Sequence, residues 1–299
     1  MIHTRRPRIA ITVGDPAGIG PEIAARAAED TAVRTTCEPI IYAPPPSSHF
    51  TIGTESAEAG QAAYDCIVRA VDDARARRVD AIATAPINKL AFSLAGLPWK
   101  GHTDLLAHLC GASRVAMLFY ARELIVVLAT VHIPLRDVPG LLTREVMHDT
   151  IALTAAAMPG FGIASPRIAV AGLNPHAGES GLLGGEEGAT LLPALADARA
   201  AGIDVRGPFP ADTVFTRAIR GEFDVVIACY HDQGLIPVKL LSFGRAVNVT
   251  IGLPIVRTSV DHGTAFDIAG QGVADPGSMI EAVLLASRLA TFRATSAVS

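Results

Sequence analysis

Aromatic residues are scarce, at 5% of the 299 positions, so the chain has little with which to stack nucleic-acid bases. Basic charge is not in excess either. There are 25 Lys and Arg against 29 Asp and Glu, a net charge of −4, which predicts no nucleic-acid partner. Long apolar runs are missing. The longest clean one, Leu124–Val131, falls far short of the roughly 20 residues that span a bilayer, so no membrane partner is expected. Met1–Arg8 is basic, but the apolar stretch behind it breaks at Gly14 and Asp15, too short and too early for an export signal. Cysteine is sparse. Cys37, Cys66, Cys110 and Cys229 form no CxxC pair and read as buried free thiols. Repeats, heptads and charged tails are absent, and the only low-complexity spot is the loop Pro44–Ser48. A soluble cytoplasmic protein is expected.

Half of the residues are hydrophobic and 18% are charged, which is the balance of a globular core. The length suits two domains or one large one. Short continuous runs of small and β-branched residues recur at Arg8–Val13, Pro39–Tyr42, Ala81–Thr84, Val115–Phe119, Leu124–Val131, Arg167–Ala171, Asp224–Cys229 and Val247–Ile251. Continuity without alternation predicts strands buried on both faces. Helical patterns lie between them. One starts at Pro21 and runs to about Ala28, and a second follows Ser56 with a Tyr64, Ile67, Val68, Val71 stripe. Others are marked by Leu191, Leu192, Leu195 and Ala198, and by Met279, Val283 and Leu289. Alternating strands and helices predict an α/β fold with mainly parallel sheets.

Polar residues gather behind the strands. The loops are Gly14–Glu22, Ala85–Lys89, His132–Pro134, Gly172–Glu179, Tyr230–Gly234 and Gly252–Arg257. Carboxyl ends of parallel strands border the ligand crevice in open α/β sheets, so these loops predict one composite site. Three of them carry a histidine, His132, His176 and His231. Each reads either as a hydrogen-bonded structural residue or as a ligand, and three neutral imidazoles suit a divalent cation with open positions. Gly14–Glu22 is either an anion-cradling turn or only a tight strand-to-helix turn; it is neither a Walker A loop nor a GxGxxG. Gly101–Asp104 is an anion site or a helix start capped by Thr103. Lys239 and Arg257 stand in apolar stretches, where a charge is paired, binds an anion, or lies solvated at the surface.

In order along the chain, Gly14–Glu22, Thr84–Lys89, Gly101–Asp104, Val131–Pro134, Asn174–Glu179, Gly207–Phe215, Tyr230–Pro237, Asn248–Thr258 and Asp261–Gly270 resemble the 4-hydroxythreonine-4-phosphate dehydrogenases of pyridoxal phosphate biosynthesis. The resemblance covers nearly the whole chain. Gly18–Glu22 and Asp261–Gly270 are also similar to motifs of the isocitrate and isopropylmalate dehydrogenases, the second to their cofactor-adenosine loop. The resemblance implies two α/β/α domains with an active-site cleft between them: residues 1–100 plus 232–299 on the cofactor side, and 101–231 on the metal and dimerisation side. It implies one divalent ion, zinc, magnesium or cobalt, at His132, His176 and His231, with one histidine supplied by the partner of a homodimer. Substrate contacts carry over to His102, Thr103, Lys239, Asn248 and Arg257. NAD or NADP contacts fall on Gly14, Asp15, Gly263, Asp267 and Ile268. Asp232, Asp212 and Lys239 are the candidates for proton transfer or ligand orientation. Between Tyr42 and Ser56 the chain is shorter than its relatives, which leaves the outer edge of the first domain open.

The implied reaction oxidises the secondary alcohol of 4-phosphooxy-L-threonine to 2-amino-3-oxo-4-phosphooxybutanoate and then releases CO2 to leave 3-amino-2-oxopropyl phosphate. A catabolic relative acting on D-threonate or D-erythronate 4-phosphate would use the same groups, and a dihydrodiol dicarboxylate dehydrogenase is a further family member. A metal-dependent hydrolase or a non-catalytic binding protein are the readings from other classes. Against the first stands the adenosine-like loop; against the second, the histidine trio among six polar loops.

Overall fold

The computed structural model describes residues 5–242 and 244–296. In chain order the strands are β1 (Arg8–Thr12), β2 (Glu38–Tyr42), β3 (Ala81–Thr84), β4 (Ala116–Tyr120), β5 (Ile125–Leu128), β6 (Ile168–Ala171), β7 (Val205–Phe209), β8 (Val225–Ala228), β9 (Val247–Ile251) and β10 (Arg257–Ser259). The α-helices are α1 (Gly20–Glu29), α2 (Thr31–Thr36), α3 (Ala57–Arg75), α4 (Lys89–Leu94), α5 (His102–Cys110), α6 (Val138–Leu141), α7 (Arg144–Ala157), α8 (Leu192–Ala200), α9 (Ala211–Ile219), α10 (His231–Ser242) and α11 (Gly277–Ser296). None of them is long and apolar enough to cross a membrane.

Local chemistry sets the helix starts. Pro21 occupies the first turn of α1, where its missing N–H costs nothing. The carboxylate of Asp30 accepts from Ala32 N and Val33 N to cap α2, and Ser56 and Thr143 cap α3 and α7 by accepting from Ala59 N and Val146 N. Each such cap contributes roughly 1 kcal/mol. Thr103 does not cap α5. Gly101 stands at that cap with extended backbone, and Thr103 is already inside the first turn.

The chain divides into two compact units, the described parts of Met1–Ser113 with Leu253–Ser299, and Arg114–Gly252. Residues 101–113 and 232–252 therefore each group with the other unit from the one expected. In the first unit the strand order is β2-β1-β3-β10, all parallel. Its core packs Ala10 and Ile82 of the strands against Ile67 and Val71 of α3, Phe92 of α4, and Leu105 and Leu106 of α5. β2 is the edge strand and is half exposed, so the expectation of burial on both faces fails there. From β2 the chain runs through 43–56 without strand or helix into α3. A cavity of about 860 Å³ lies beside that stretch, lined by Pro44, His49, Phe50, Gln61, Arg69 and Leu94 among others.

In the second unit the order is β9-β4-β5-β8-β6-β7. β5, β8, β6 and β7 are parallel neighbours, whereas β4 runs antiparallel to both β5 and β9. The core packs Val126, Leu128 and Val226 against Val214 and Phe215 of α9 and Leu235 and Val238 of α10. Cys37, Cys66 and Cys229 are buried free thiols as expected, while Cys110 is half-buried.

Candidate active site

The three histidine loops leave the carboxyl ends of β5, β8 and β6, three neighbouring parallel strands. Adjacent strands lie about 4.8 Å apart, so their end loops start close together. The rings of His132 and His231 meet, with centroids 5.4 Å apart and planes tilted by 42°. His132 holds a left-handed backbone, φ 37°, which is uncommon for a residue with a side chain. His231 opens α10, and its Nδ1 lies 2.7 Å from Asp232 Oδ1. A carboxylate on Nδ1 fixes the tautomer and leaves Nε2 for a ligand. A cavity of about 220 Å³ adjoins the pair, with Thr130, Leu135 and Tyr230 in its wall.

His176 stands apart from this pair. Among the described residues no three His, Cys, Asp or Glu side chains gather as a ready metal cluster. His176 lies in an exposed turn, where its Nδ1 faces Glu179 Oε2 at 3.0 Å, the same carboxylate backing that His231 has. From His176 to Ser180 every residue has a positive φ. Asn174 anchors the turn: its backbone N–H and side-chain amide donate to Glu187, and the amide also to Glu186. Two imidazoles already together, and a carboxylate behind both His231 and His176, form a donor set that fits a transition-metal cation.

In the first unit, the turn after β1 and the loop 261–270 touch. Ile19 N donates to Thr264 O at 3.0 Å, and Asp15 N donates to Pro86 O at 2.9 Å. A Cβ on Gly14 would sit 2.1 Å from Pro86 O, and φ there is 65°. Close backbone approach thus accounts for that glycine without an anion. The buried Asp15 carboxylate turns inward, Oδ1 accepting from Ala17 N at 2.9 Å. Burial chiefly, and Glu55 secondarily, raise its pKa against the lowering effect of that hydrogen bond. Gly263 and Asp267 are exposed and Ile268 is half-buried, so the loop offers a surface carboxylate beside backbone groups, which suits ribose hydroxyls.

Arg257 is fully buried and donates to Thr84 Oγ1 at 2.7 Å. Burial lowers its pKa to about 9, which leaves it cationic at neutral pH. His102 Nε2 is sealed from water and has no hydrogen-bond partner. Burial first, and the Arg257 charge second, push its pKa well below the ordinary imidazole value. Thr103 is half-buried beside it in α5. In the second unit, Asn248 Oδ1 on β9 is likewise buried and unsatisfied. Buried polar atoms of this kind are normally paired, so His102 and Asn248 each mark a place for a polar ligand. Lys239 is exposed on the last turn of α10, as is Asp212 on the first turn of α9, and no hydrogen bond among the described residues joins Asp212 to the imidazole pair.

Sequence reasoning missed Gln233 and Glu187. Gln233 Oε1 accepts from Cys229 N at 2.7 Å and its Nε2 donates to Gly172 O at 2.8 Å, tying the ends of β8 and β6 together. The cue for Gln233 was its place in the loop behind β8; for Glu187 it was an acidic pair at the head of an apolar helix.

Strand order and loop placement define the class, an α/β protein with the β-decarboxylating dehydrogenase fold. A structure of that name from Thermococcus kodakarensis superposes with a TM-score of 0.51 at 16% identity, over 92% of this chain and 80% of the other. The family is narrower. Residues 13–286 match pyridoxal phosphate biosynthetic protein PdxA, and the chain belongs to that family. It is 45% identical to the 4-hydroxythreonine-4-phosphate dehydrogenase of Desulfosudis oleivorans, over 94% of this chain and 95% of the relative. It is 44% identical to the D-threonate 4-phosphate dehydrogenase of Cupriavidus necator, over 96% and 98%. The crystal structure of the Klebsiella pneumoniae 4-hydroxythreonine-4-phosphate dehydrogenase superposes with a TM-score of 0.87 at 41% identity, covering 96% and 99%.

Proposed function

We propose that the protein oxidises 4-phosphooxy-L-threonine to 2-amino-3-oxo-4-phosphooxybutanoate, which decarboxylates to 3-amino-2-oxopropyl phosphate, in pyridoxal phosphate biosynthesis. The observation that carries the reading is the carboxylate-backed imidazole pair at neighbouring strand ends, in a chain that matches dehydrogenases along nearly its full length. The first unit is the cofactor side. Gly14, Asp15, Gly263, Asp267 and Ile268 would hold NAD or NADP, which when bound accepts the hydride from the carbinol carbon. The second unit is the metal and dimer side. His132, His176 and His231 would hold zinc, cobalt or magnesium, the imidazoles favouring the first two, and the ion supplies Lewis acidity at the substrate oxygens when bound.

The chain's own groups do the rest. Arg257 keeps a fixed cation for an anionic end of the substrate, and Lys239 adds a second one. In the first unit neutral His102 would give a hydrogen bond without adding charge, as would the Thr103 hydroxyl; in the second, the Asn248 amide is the candidate for a polar substrate group. Asp232 orients His231 and is one candidate to take the hydroxyl proton, with Asp212 as the other. One proton leaves the hydroxyl, one hydride leaves the carbon, and the resulting β-keto acid loses CO2.

Homodimerisation belongs to the same reading. The helix that begins at His231 exposes Ile236, Leu240 and Leu241, the last two turns carrying Leu240 at 77% exposure, and the segment after His132 exposes Leu135 and Leu141. Apolar exposure beside a site is what a partner subunit covers. A partner would also give the outlying His176 a place. Buried free thiols fit the reducing cytoplasm.

The 44% identity to a D-threonate 4-phosphate dehydrogenase supports the catabolic substrate as the second reading. Following NAD+ or NADP+ reduction with each phosphorylated substrate, with and without chelator, separates the two; product release with no reduced cofactor would mean a hydrolase. His231→Ala should fold and lose metal-dependent cofactor reduction. Full turnover by that variant in metal-free buffer overturns the proposal.

A further inference from the structure

Glu187 is a buried carboxylate that the reaction does not use. It is 4% exposed, and none of the ion pairs among the described residues includes it. A carboxylate shut off from water needs donors. Both come from one residue: Oε1 accepts from Asn174 N at 2.7 Å, and Oε2 accepts from Asn174 Nδ2 at 3.0 Å.

Asn174 is the entry to the left-handed turn. His176, Ala177, Gly178, Glu179 and Ser180 all have positive φ, and only one of them is glycine. L-residues resist that conformation, so a run of them persists only where the surroundings over-determine it. Glu187 is that surrounding. A Cβ on Gly178 would lie 2.6 Å from Glu187 Oε2, so the turn is seated directly on the carboxylate. Glu187 itself opens a single π-helical turn, Glu187–Leu191, a distortion frequent at functional sites.

We propose that Glu187 is a positioning residue: it locks the left-handed turn that presents His176, and thereby sets the metal affinity of the histidine set without touching the metal. The metal half of this inference rests on the function proposed above; the turn half does not.

The test uses Glu187→Ala and Glu187→Gln in the full-length protein. In metal-free protein, amide hydrogen exchange over residues 174–184 should accelerate about tenfold or more in Glu187→Ala, with exchange in β5 and β8 unchanged. Affinity for Co2+, read from its visible absorption band, should fall about 10- to 100-fold. Glu187→Gln should recover much of both, because its amide oxygen still accepts from Asn174 N. If Glu187→Ala fails to fold, Glu187→Gln decides, with a smaller shift in the same direction. Unchanged exchange in the turn overturns the proposal, and so does unchanged Co2+ affinity. If the unsubstituted protein binds no Co2+, the metal reading fails, and the exchange result alone decides whether Glu187 holds the turn.

Discussion

Two titratable side chains of the first unit, the buried Asp15 and the half-buried His102 with its sealed Nε2, should pull stability in opposite directions with pH. Asp15 has its pKa raised by burial, so the folded chain holds that proton more tightly than the unfolded one. Stability is therefore lost as pH rises from the ordinary carboxyl value through the folded one. Asp15→Asn should raise the melting temperature at pH 7 and lose that advantage near pH 3, as thermal melts across pH would show. His102 has its pKa lowered, so the unfolded chain takes up a proton first. Stability is then lost as pH falls below the ordinary imidazole value of about 6.5. His102→Gln should flatten that decline between pH 7 and pH 5 in urea titrations. An unchanged slope would mean that His102 takes up its proton equally in the folded and the unfolded chain. Both residues were picked out in the sequence by the loops they occupy. Their unsatisfied or inward-turned atoms were not, because burial depends on chain brought in from far away, such as Arg257 beside His102.

At the scale of elements, the turn after β1 is the sharpest test. Gly14→Ala puts a methyl group against the backbone oxygen of Pro86 at φ 65°, so the strand-to-helix turn must move. A loss on the order of 3 kcal/mol in chemical unfolding is expected. A change below about 0.5 kcal/mol would mean that the turn has slack. Most strands were legible because buried parallel strands are written as continuous runs of small and β-branched residues, as in Ala81–Thr84 and Asp224–Cys229. β7 and β10 were not. Val205–Phe209 carries Gly207 and Pro208, tolerable only because β7 lies at the end of the strand order. Arg257–Ser259 is a three-residue polar strand that exists through its pairing with β3. Thr103 misled for a related reason: capping preference is weak beside the extended Gly101 that starts α5.

For the whole molecule, the proposed homodimer is tested on α10. Leu240→Glu should convert a dimer to monomers in sedimentation velocity and cut turnover by about tenfold or more, because the His176 turn would lose its partner's imidazole pair. A variant that stays dimeric and fully active places the contact elsewhere. Sedimentation of the unsubstituted protein across concentration comes first, and a monomer there removes the shared site altogether.

The primary structure alone determined the alternation of strands and helices, the polar loops at the strand ends, and which histidines, basic residues and acids stand in them. These are properties of hydrophobic period and of short motifs, both local in the chain. Tertiary structure alone decided that His132 and His231 pair while His176 stands on a left-handed turn, and that Glu187 and Gln233 brace the loops that carry them. Those facts depend on strand order, and strand order is set by which buried faces pack together, a choice that no stretch of neighbouring residues records.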